Sequence, residues 1–374
     1  MKFITGLKKF SFGLAVSAVL SAGAYAQPIT IGGIFTQEGP AAAYGIDSLN
    51  GVRLAIEHIN AQGGIDGRKL DLDLHDDKGD TATAAALMRK VTANDDVVAV
   101  LFSPRSPVMI ALAKMAAQIP ISLIGIGASS PWPGDFNDWT FRFSQVDSVV
   151  AAELIPKVNA LLKPETLSVI YAYDDEWANS MANIVGDLST KEGIKLTSKE
   201  SFKTKDTDFR AQLTKIAQQK PDVLVVIGLE NEASLIMRQA RQLGVKTQFV
   251  GMSSFSSPKL LELAGEAAEG AMTGIAFMQD SERAQTQEFV KAYKDKYQQD
   301  VPANAAHGYD AVLALAQALK NAKGDYSRQS VRDQMAALEK VEGVTGTLTM
   351  KGKGDADRDV YVVQIRDGSY VEAK

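Results

Sequence analysis

Short apolar runs alternate with helical segments along most of this chain, and that alternation limits the folds it can adopt. Residues 29–34, 97–102 and 121–126 are continuous apolar runs, as expected of strands that are buried on both faces. The segments between them carry apolar residues every three or four positions, which is the spacing of one helix face. We therefore predict an α/β protein whose parallel sheets are covered by helices.

The same rhythm begins again near residue 141. Apolar runs at residues 167–172 and 223–227 alternate with helical patterns at 148–162 and 232–243. A chain of 374 residues is long enough for two or three such domains. The tail after residue 281 is mostly helical, with two late strand patterns, and it can return to the first half. We predict two α/β halves.

The N-terminal 26 residues have the pattern of a secretory signal peptide. Three early lysines precede an apolar run at residues 10–20, and Ala24-Tyr25-Ala26 is a small-x-small cleavage pattern. A membrane anchor is the alternative, but that run is too short to span a bilayer. The chain has no cysteine, which excludes disulfides, thiol catalysis and lipid attachment at a cysteine. We expect cleavage after Ala26 and a free, soluble, monomeric protein in a bacterial periplasm.

Catalytic and cofactor motifs are absent from the sequence. It contains neither Gly-x-Ser-x-Gly nor a P-loop, and its net charge of −5 provides no basic surface for nucleic acid. His307 is one of three histidines and either lines a cleft or belongs to the core. Asp355, Asp357 and Asp359 alternate as in a calcium loop, but Val360 and Arg366 stand where such a loop needs glycine and glutamate, so we predict a solvated turn. We expect no enzyme, cofactor or metal site.

Loops at predicted strand ends carry the residues suited to binding. The loop at residues 35–45 contains Tyr44 and lies between a strand and a helix; in a parallel sheet it is either a ligand loop or an ordinary connection. Ser103 or Ser106 begins a helix, where free N–H groups favour a carboxylate. Arg105 is either a fork for a carboxylate or a surface arginine. Trp177, in the first turn of a helix, either stacks on an apolar ligand or acts as a hydrophobic staple.

Several motifs resemble one family of transport proteins. The first is GPAAAYGIDSLNGVRLAIEHINAQGGIDGRKLDLDLHDDKGD, followed by IMRQARQLGVKTQFVG and AAHGYDAVLALAQAL. Together they are similar to the periplasmic substrate-binding proteins of ABC transporters of the branched-chain (leucine/isoleucine/valine) amino-acid type. The resemblance covers essentially the whole mature chain.

The resemblance implies a type I periplasmic-binding fold, in which two Rossmann-like lobes with parallel sheets are joined by a three-segment hinge. The implied crossings lie near residues 144–147, 273–279 and 343–350. The N-terminal lobe is then 27–146 with 276–348, and the C-terminal lobe is 147–275 with 349–374. A small carboxylate is expected to be enclosed between the lobes and delivered to permease subunits in the inner membrane. A sensor component that presents the closed form to a membrane receptor is the alternative.

The resemblance also implies the ligand residues. In sequence order they are Tyr44, Ser103 or Ser106, Gly127, Ser129, Trp177, Leu229 and Ser253. Three of them depart from the family pattern: Trp177 replaces a tyrosine, Leu229 stands where amino-acid binders often have a tyrosine, and Ser253 replaces the acid that pairs with a ligand ammonium. A buried ammonium without a partner is costly. We therefore expect an aromatic or keto acid without a required α-amino group. Aliphatic amino acids remain the competing ligands, with Glu230 or Asp175 as a possible substitute acid.

Overall fold

The computed structural model describes Met1 and residues 27–39, 42–103, 106–127, 138–144, 146–350, 354–358 and 360–373. The predicted signal peptide therefore lies, apart from Met1, outside the described residues. Within the described part of the chain, no helix is long and apolar enough to cross a membrane.

The first sheet is wholly parallel, with the strand order β2-β1-β3-β4-β5. Its strands are β1 Ile29–Phe35, β2 Leu70–Asp76, β3 Val97–Ser103, β4 Ser122–Gly125 and β5 Thr140–Arg142. The intervening helices are α1 Ala42–Ala61, α2 Thr81–Thr92 and α3 Ser106–Gln118. The apolar runs of the sequence therefore form buried parallel strands, as predicted.

The second sheet repeats this pattern after the first crossing. Its parallel strands are β6 Thr166–Ala172, β7 Lys195–Phe202, β8 Val223–Ile227, β9 Gln248–Gly251 and β10 Met272–Ile275. The helices are α4 Asp147–Leu162, α5 Glu176–Lys191, α6 Arg210–Gln219, α7 Glu230–Gln242 and α8 Pro258–Ala264, with 3₁₀ turns at Ser253–Ser256 and Gly265–Ala268.

The C-terminal part of the chain packs on the first sheet and then adds two strands to the second. Helices α9 Ala284–Tyr297, α10 Ala303–Asn321 and α11 Arg328–Ala336 precede a small antiparallel sheet of β11 Val341–Gly343, β12 Gly346–Met350 and β13 Ala356–Asp357. Strand β14 Tyr361–Arg366 then joins the second sheet antiparallel to β10, and β15 Ser369–Glu372 pairs antiparallel with β14, which gives the order β15-β14-β10-β9-β8-β6-β7.

The buried side chains form separate cores for the two sheets. Residues of the first sheet pack with α9, α10, α11 and the β11–β12 hairpin, whereas residues 150–272 pack with β14 and β15. Met350 and Ala356 pack against the first core, so the predicted third crossing at 343–350 is wrong, as is the lobe boundary after residue 348. That segment is a hairpin held by its apolar face, and the chain reaches the second sheet between β13 and β14.

Helices α1 and α10 pack at glycines. A Cβ atom on Gly51 would lie 1.9 Å from the carbonyl oxygen of Ala305, and one on Gly308 would lie 2.3 Å from that of Ser48. The two backbones are therefore in direct contact, and neither position has room for a side chain.

We expect Gly51→Ala to lower the free energy of unfolding by about 1–3 kcal/mol, because the methyl group must push α10 away. Urea unfolding monitored by circular dichroism measures the change. Gly186 in α5 is the matched control, since a Cβ there meets only Leu196 Cδ2 at 3.7 Å. Gly186→Ala should instead stabilise the protein by about 0.5–1 kcal/mol. Equal stability of the Gly51→Ala variant and the wild type would contradict the close packing.

Candidate functional site

The predicted site residues follow adjacent strands of each sheet. Tyr44 follows β1, while Ser103 ends β3, Ser106 begins α3 and Gly127 follows β4; these strands are neighbours in the first sheet. Trp177 follows β6, Leu229 follows β8 and Ser253 follows β9, which are neighbours in the second sheet. The carboxyl edge of a parallel sheet is where ligands bind in open α/β folds. Each lobe therefore contributes one such edge.

The loop before Tyr44 is fixed by Asp77, the acid that directly follows β2. The hydroxyl of Thr36 and the backbone N–H of Gly79 donate to Asp77 Oδ1 at 2.7 and 2.9 Å, and Asp77 is fully buried. A Cβ atom on Gly45 would lie 1.8 Å from the Thr36 carbonyl oxygen. The start of α1 is thus pressed against the end of β1, and only glycine permits that approach.

Tyr44 and Glu230 meet across the two lobes. The Tyr44 hydroxyl donates a hydrogen bond to Glu230 Oε1, although 45% of the tyrosine surface remains exposed. Burial of the hydroxyl, with the neighbouring Glu230 carboxylate, raises the pKa of Tyr44 above its ordinary value. In the same helix, burial raises the pKa of Asp47 to about 6. Glu230 begins α7 and so places its charge at a favourable helix end.

A buried carboxylate connects two of the predicted site residues in the second lobe. Asp147 Oδ2 accepts hydrogen bonds from Trp177 Nε1 at 2.8 Å and from the Ser253 hydroxyl at 2.9 Å. The backbone N–H of Ser253 donates to Asp147 Oδ1 at 3.2 Å. Trp177 is partly buried and packs against the second core. The tryptophan and the serine are therefore held by the same acid.

The other predicted site residues have fewer described contacts. Leu229 precedes α7 with 52% of its surface exposed. Gly127 has a φ of 130°, and its N–H donates to the Ser144 hydroxyl. Ser106 is half-buried at the start of α3, as predicted for a helix-starting serine, and only the backbone of Ser103 is described. Arg105 and Ser129 lie outside the described residues.

A polar network links α10 to two crossings. Asp310 accepts hydrogen bonds from the N–H groups of Val344 and Thr345 at 2.6 and 3.1 Å and from the Thr345 hydroxyl at 2.5 Å. Arg358 donates to the Thr345 hydroxyl at 3.2 Å and to the Phe143 carbonyl oxygen at 2.9 Å. Burial raises the pKa of Asp310, while Arg358 and the donors of Thr345 and Val344 act against it.

An ion pair lies beside this network. Arg142, which is only 1% exposed, donates from Nε and Nη2 to the two carboxylate oxygens of Asp355 at 2.7 and 2.9 Å. The prediction of a solvated turn at residues 355–359 is therefore wrong for Asp355, which is the partner of a buried guanidinium. A bidentate pair of this kind fixes both backbones.

His307 belongs to the hinge interior and not to an exposed cleft wall. It is 2% exposed, and neither ring nitrogen has a hydrogen-bond partner among the described residues. Burial, with a smaller contribution from Arg358, holds its pKa well below the usual range. His307 is therefore neutral in the folded protein and becomes able to take up a proton on unfolding.

We expect His307→Leu to flatten the dependence of stability on pH. The folded pKa is lowered, so His307 destabilises the native state as pH falls below about 6.5, where only the unfolded chain binds the proton. Between pH 6 and 5 the wild type should lose about 1 kcal/mol more than the variant. Urea unfolding at pH 7, 6 and 5 measures this; parallel curves would show that His307 is protonated in the native state. Asp310 and Arg358 are common to both proteins, so their contributions cancel.

Asp147, Asp310 and Arg358 were not found from the sequence. Each lies in or next to a segment that connects the two lobes, and no periodic sequence pattern there indicates which residues it binds. Glu230 was considered only as a substitute acid, and its contact with Tyr44 joins residues 186 positions apart. The helix-starting position of Asp147 and Glu230 is the one visible signal, and it is equally typical of ordinary helix ends.

Comparison with known proteins identifies the family. A model of the family described as periplasmic binding protein matches residues 28–369. The Leu/Ile/Val-binding protein homolog 1 of Brucella abortus (strain 2308) is 30% identical over 356 residues, which is 94% of this chain and 94% of the relative.

Solved structures share the fold. The branched-chain amino acid transporter substrate binding protein LivJ of Streptococcus pneumoniae, in complex with isoleucine, is 29% identical with a TM-score of 0.81, over 92% of this chain and 97% of that one. A solute binding protein of an ABC transporter from Rhodopseudomonas palustris BisB5, in complex with 3,4-dihydroxybenzoic acid, has a TM-score of 0.80 over 92% and 95% of the two chains; at 20% identity it shows the fold alone. The expected type I periplasmic-binding architecture is thereby confirmed. The chain belongs to the periplasmic binding protein family.

Proposed function

We propose that this chain is the periplasmic solute-binding component of an ABC importer, which captures a small carboxylate between its lobes and delivers it to permease subunits. The observation that carries the proposal is the contact of Tyr44 with Glu230, which brings the carboxyl edges of the two sheets face to face. The family match supports the same role. A binding protein of this kind acts as a monomer, without catalysis or cofactor, and reaches the periplasm through a signal peptide cleaved after Ala26.

The site of this capture comprises Tyr44, Ser103 or Ser106, Arg105, Gly127 and Ser129 from the first lobe. Its proposed residues from the second lobe are Trp177, Leu229 and Ser253. In this arrangement the serines and Arg105 hold the carboxylate, because hydroxyl and guanidinium groups and helix N-termini all favour an anion. Tyr44 and Trp177 form the aromatic walls.

Within this class we favour an aromatic or keto acid that lacks an α-amino group. Ser253 carries a hydroxyl, which donates a hydrogen bond to Asp147. Glu230 likewise accepts a hydrogen bond from Tyr44. An ammonium entering this site would have to share these two carboxylates with the protein donors already bound to them, because Ser253 stands where an acid would otherwise pair with it, and a buried ammonium left unpaired costs several kcal/mol. A ligand without that group has no such cost.

A branched-chain amino acid is the second candidate. Glu230 supplies a carboxylate at the lobe interface; Tyr44 donates to its Oε1, and the second oxygen of the same carboxylate could accept a hydrogen bond from a ligand ammonium. The relatives named above are described as Leu/Ile/Val-binding and isoleucine-bound proteins.

Calorimetric titration with leucine, 4-methyl-2-oxopentanoate and benzoate separates the two candidates. Leucine and 4-methyl-2-oxopentanoate differ only at the α-carbon, which carries an ammonium in leucine and a keto oxygen in the oxo acid, so their ratio of dissociation constants compares those two groups on the same side chain. We expect the oxo acid or benzoate to bind at least tenfold more tightly than leucine. Tight binding of leucine with no response to the other two would refute the preference and support the second candidate. If no member of a panel of small carboxylates shifts the melting temperature in a thermal-shift screen, the proposal that the ligand is a carboxylate is refuted.

A further inference from the structure

Asp147 occupies the place where the chain enters the second lobe. It is the first residue of α4, directly after the first crossing, and it is fully buried. A carboxylate at that helix end is favoured by the helix dipole. The hydrogen bonds described above, however, run from other elements: Trp177 in α5 and Ser253 after β9. Asp147 thus does more than begin its own helix.

The frame around Asp147 is rigid. A Cβ atom on Gly274 in β10 would lie 2.5 Å from Val150 Cγ1, so α4 packs directly on the strand that precedes the second crossing. Asp147 therefore has a fixed backbone from which to hold its partners. A side chain held in this way loses little further entropy when it makes a hydrogen bond.

The bond to Trp177 determines the direction of the indole ring. An indole has one hydrogen-bond donor, its Nε1–H, and that donor points to Asp147 Oδ2 at 2.8 Å. The rest of the ring is only partly buried against the second core. Without the carboxylate, packing on one side alone would have to hold the ring.

We propose that Asp147 is a positioning residue of the cleft, which fixes the Trp177 ring so that its face meets the ligand and thereby sets the selectivity between flat and branched acids. This inference rests on the proposed function, because it takes the ligand to lie between the lobes. Asp147 acts through Trp177 and need not contact the ligand itself.

The first test needs no ligand. In a Trp132→Phe, Trp139→Phe background Trp177 is the single tryptophan, since the chain has three. There Asp147→Asn, which exchanges one acceptor for a donor, should at least double the acrylamide quenching constant of Trp177 and weaken its near-ultraviolet circular dichroism. Glu176→Gln is the matched control, because it removes an exposed charge next to Trp177 and should change neither signal. Unchanged quenching and dichroism in Asp147→Asn would overturn the proposal.

Ser253→Ala keeps the test independent of how well Asp147→Asn folds. It removes one donor and leaves the carboxylate, so quenching of Trp177 should rise by a smaller factor. An unchanged signal in both variants counts against the proposal.

The second test measures selectivity. In Asp147→Asn the ratio of dissociation constants for benzoate and 4-methyl-2-oxopentanoate should shift at least fivefold toward the branched acid, and in a Trp177→Phe background the same substitution should not shift it. An unchanged ratio in a protein that binds both probes would overturn the inference. If the wild type binds neither probe nor leucine, the proposed function fails, and the fluorescence result alone decides whether Asp147 positions Trp177.

Discussion

Asp310→Ala is expected to lower the free energy of unfolding by about 3–5 kcal/mol. The carboxylate is fully buried and accepts three hydrogen bonds from Val344 and Thr345. Its removal leaves two backbone N–H groups unpaired and removes a carboxylate that favours the charge of Arg358, whose Nε is buried. Leaving buried donors unpaired and weakening the electrostatic support of a buried cation are among the most costly effects of a substitution. Urea unfolding at pH 7 measures the loss.

Two further variants test the mechanism. Asp187→Ala removes an exposed acid of α5 and should change stability by no more than about 0.5 kcal/mol. The double variant Asp310→Ala, Arg358→Met should be at least about 1 kcal/mol more stable than the sum of the single losses predicts, because the second substitution removes the unpaired cation. A loss below about 1 kcal/mol in Asp310→Ala would show that the turn at residues 343–346 is held by its apolar neighbours alone.

The polar network of Asp310, Thr345 and Arg358 joins distant parts of the chain, and for that reason the sequence did not predict where it lies. The strand and helix patterns are properties of single elements, so continuous apolar runs correctly located β3 and β8. Asp310 and Arg358, by contrast, both bind the Thr345 hydroxyl. Arg358 also donates to the carbonyl oxygen of Phe143, which lies 215 positions away in the sequence. No local pattern specifies such partners. The short strands β5 and β13, of three and two residues, also have too few positions to show alternation.

The misplaced third crossing has the same cause. Residues 346–350 form β12, which is one of the two late strand patterns of the sequence, but a single strand pattern does not say against which core its apolar face packs. Leu348 and Met350 are buried with α10, and this contact keeps the hairpin on the first lobe. The resemblance to a family supplied the overall architecture, which the comparisons confirm.

The candidate site also contains positions that the sequence predicts and positions that it does not. The positions at strand ends follow from the parallel sheet, because every second loop must emerge at the carboxyl edge. That rule places Tyr44 and Trp177 at their edges, but the acids opposite them, Glu230 and Asp147, are set by the angle between the lobes and by the path of the first crossing. Those are tertiary quantities, which a single sequence does not contain.

Trp177→Ala is expected to weaken benzoate binding by roughly 30- to 150-fold. If the indole face covers the ligand as proposed, its removal loses apolar contact and aromatic stacking worth about 2–3 kcal/mol together. Leucine has no ring to stack on the indole, so its binding should weaken only about three- to tenfold. Calorimetric titration of both ligands at 25 °C measures these losses, and circular dichroism checks that the variant is folded.

Trp139→Ala distinguishes loss of the cleft wall from loss of any large aromatic residue. Trp139 immediately precedes β5, at the amino edge of the first sheet, and the Arg332 guanidinium lies 5.3 Å from its ring centre. Since that edge is opposite the carboxyl ends of the strands, Trp139→Ala should leave the benzoate dissociation constant within about twofold while lowering stability. If Trp177→Ala retains benzoate binding within threefold, the ring is a staple that closes the second core, and the selectivity of the cleft must come from Tyr44 and the first lobe.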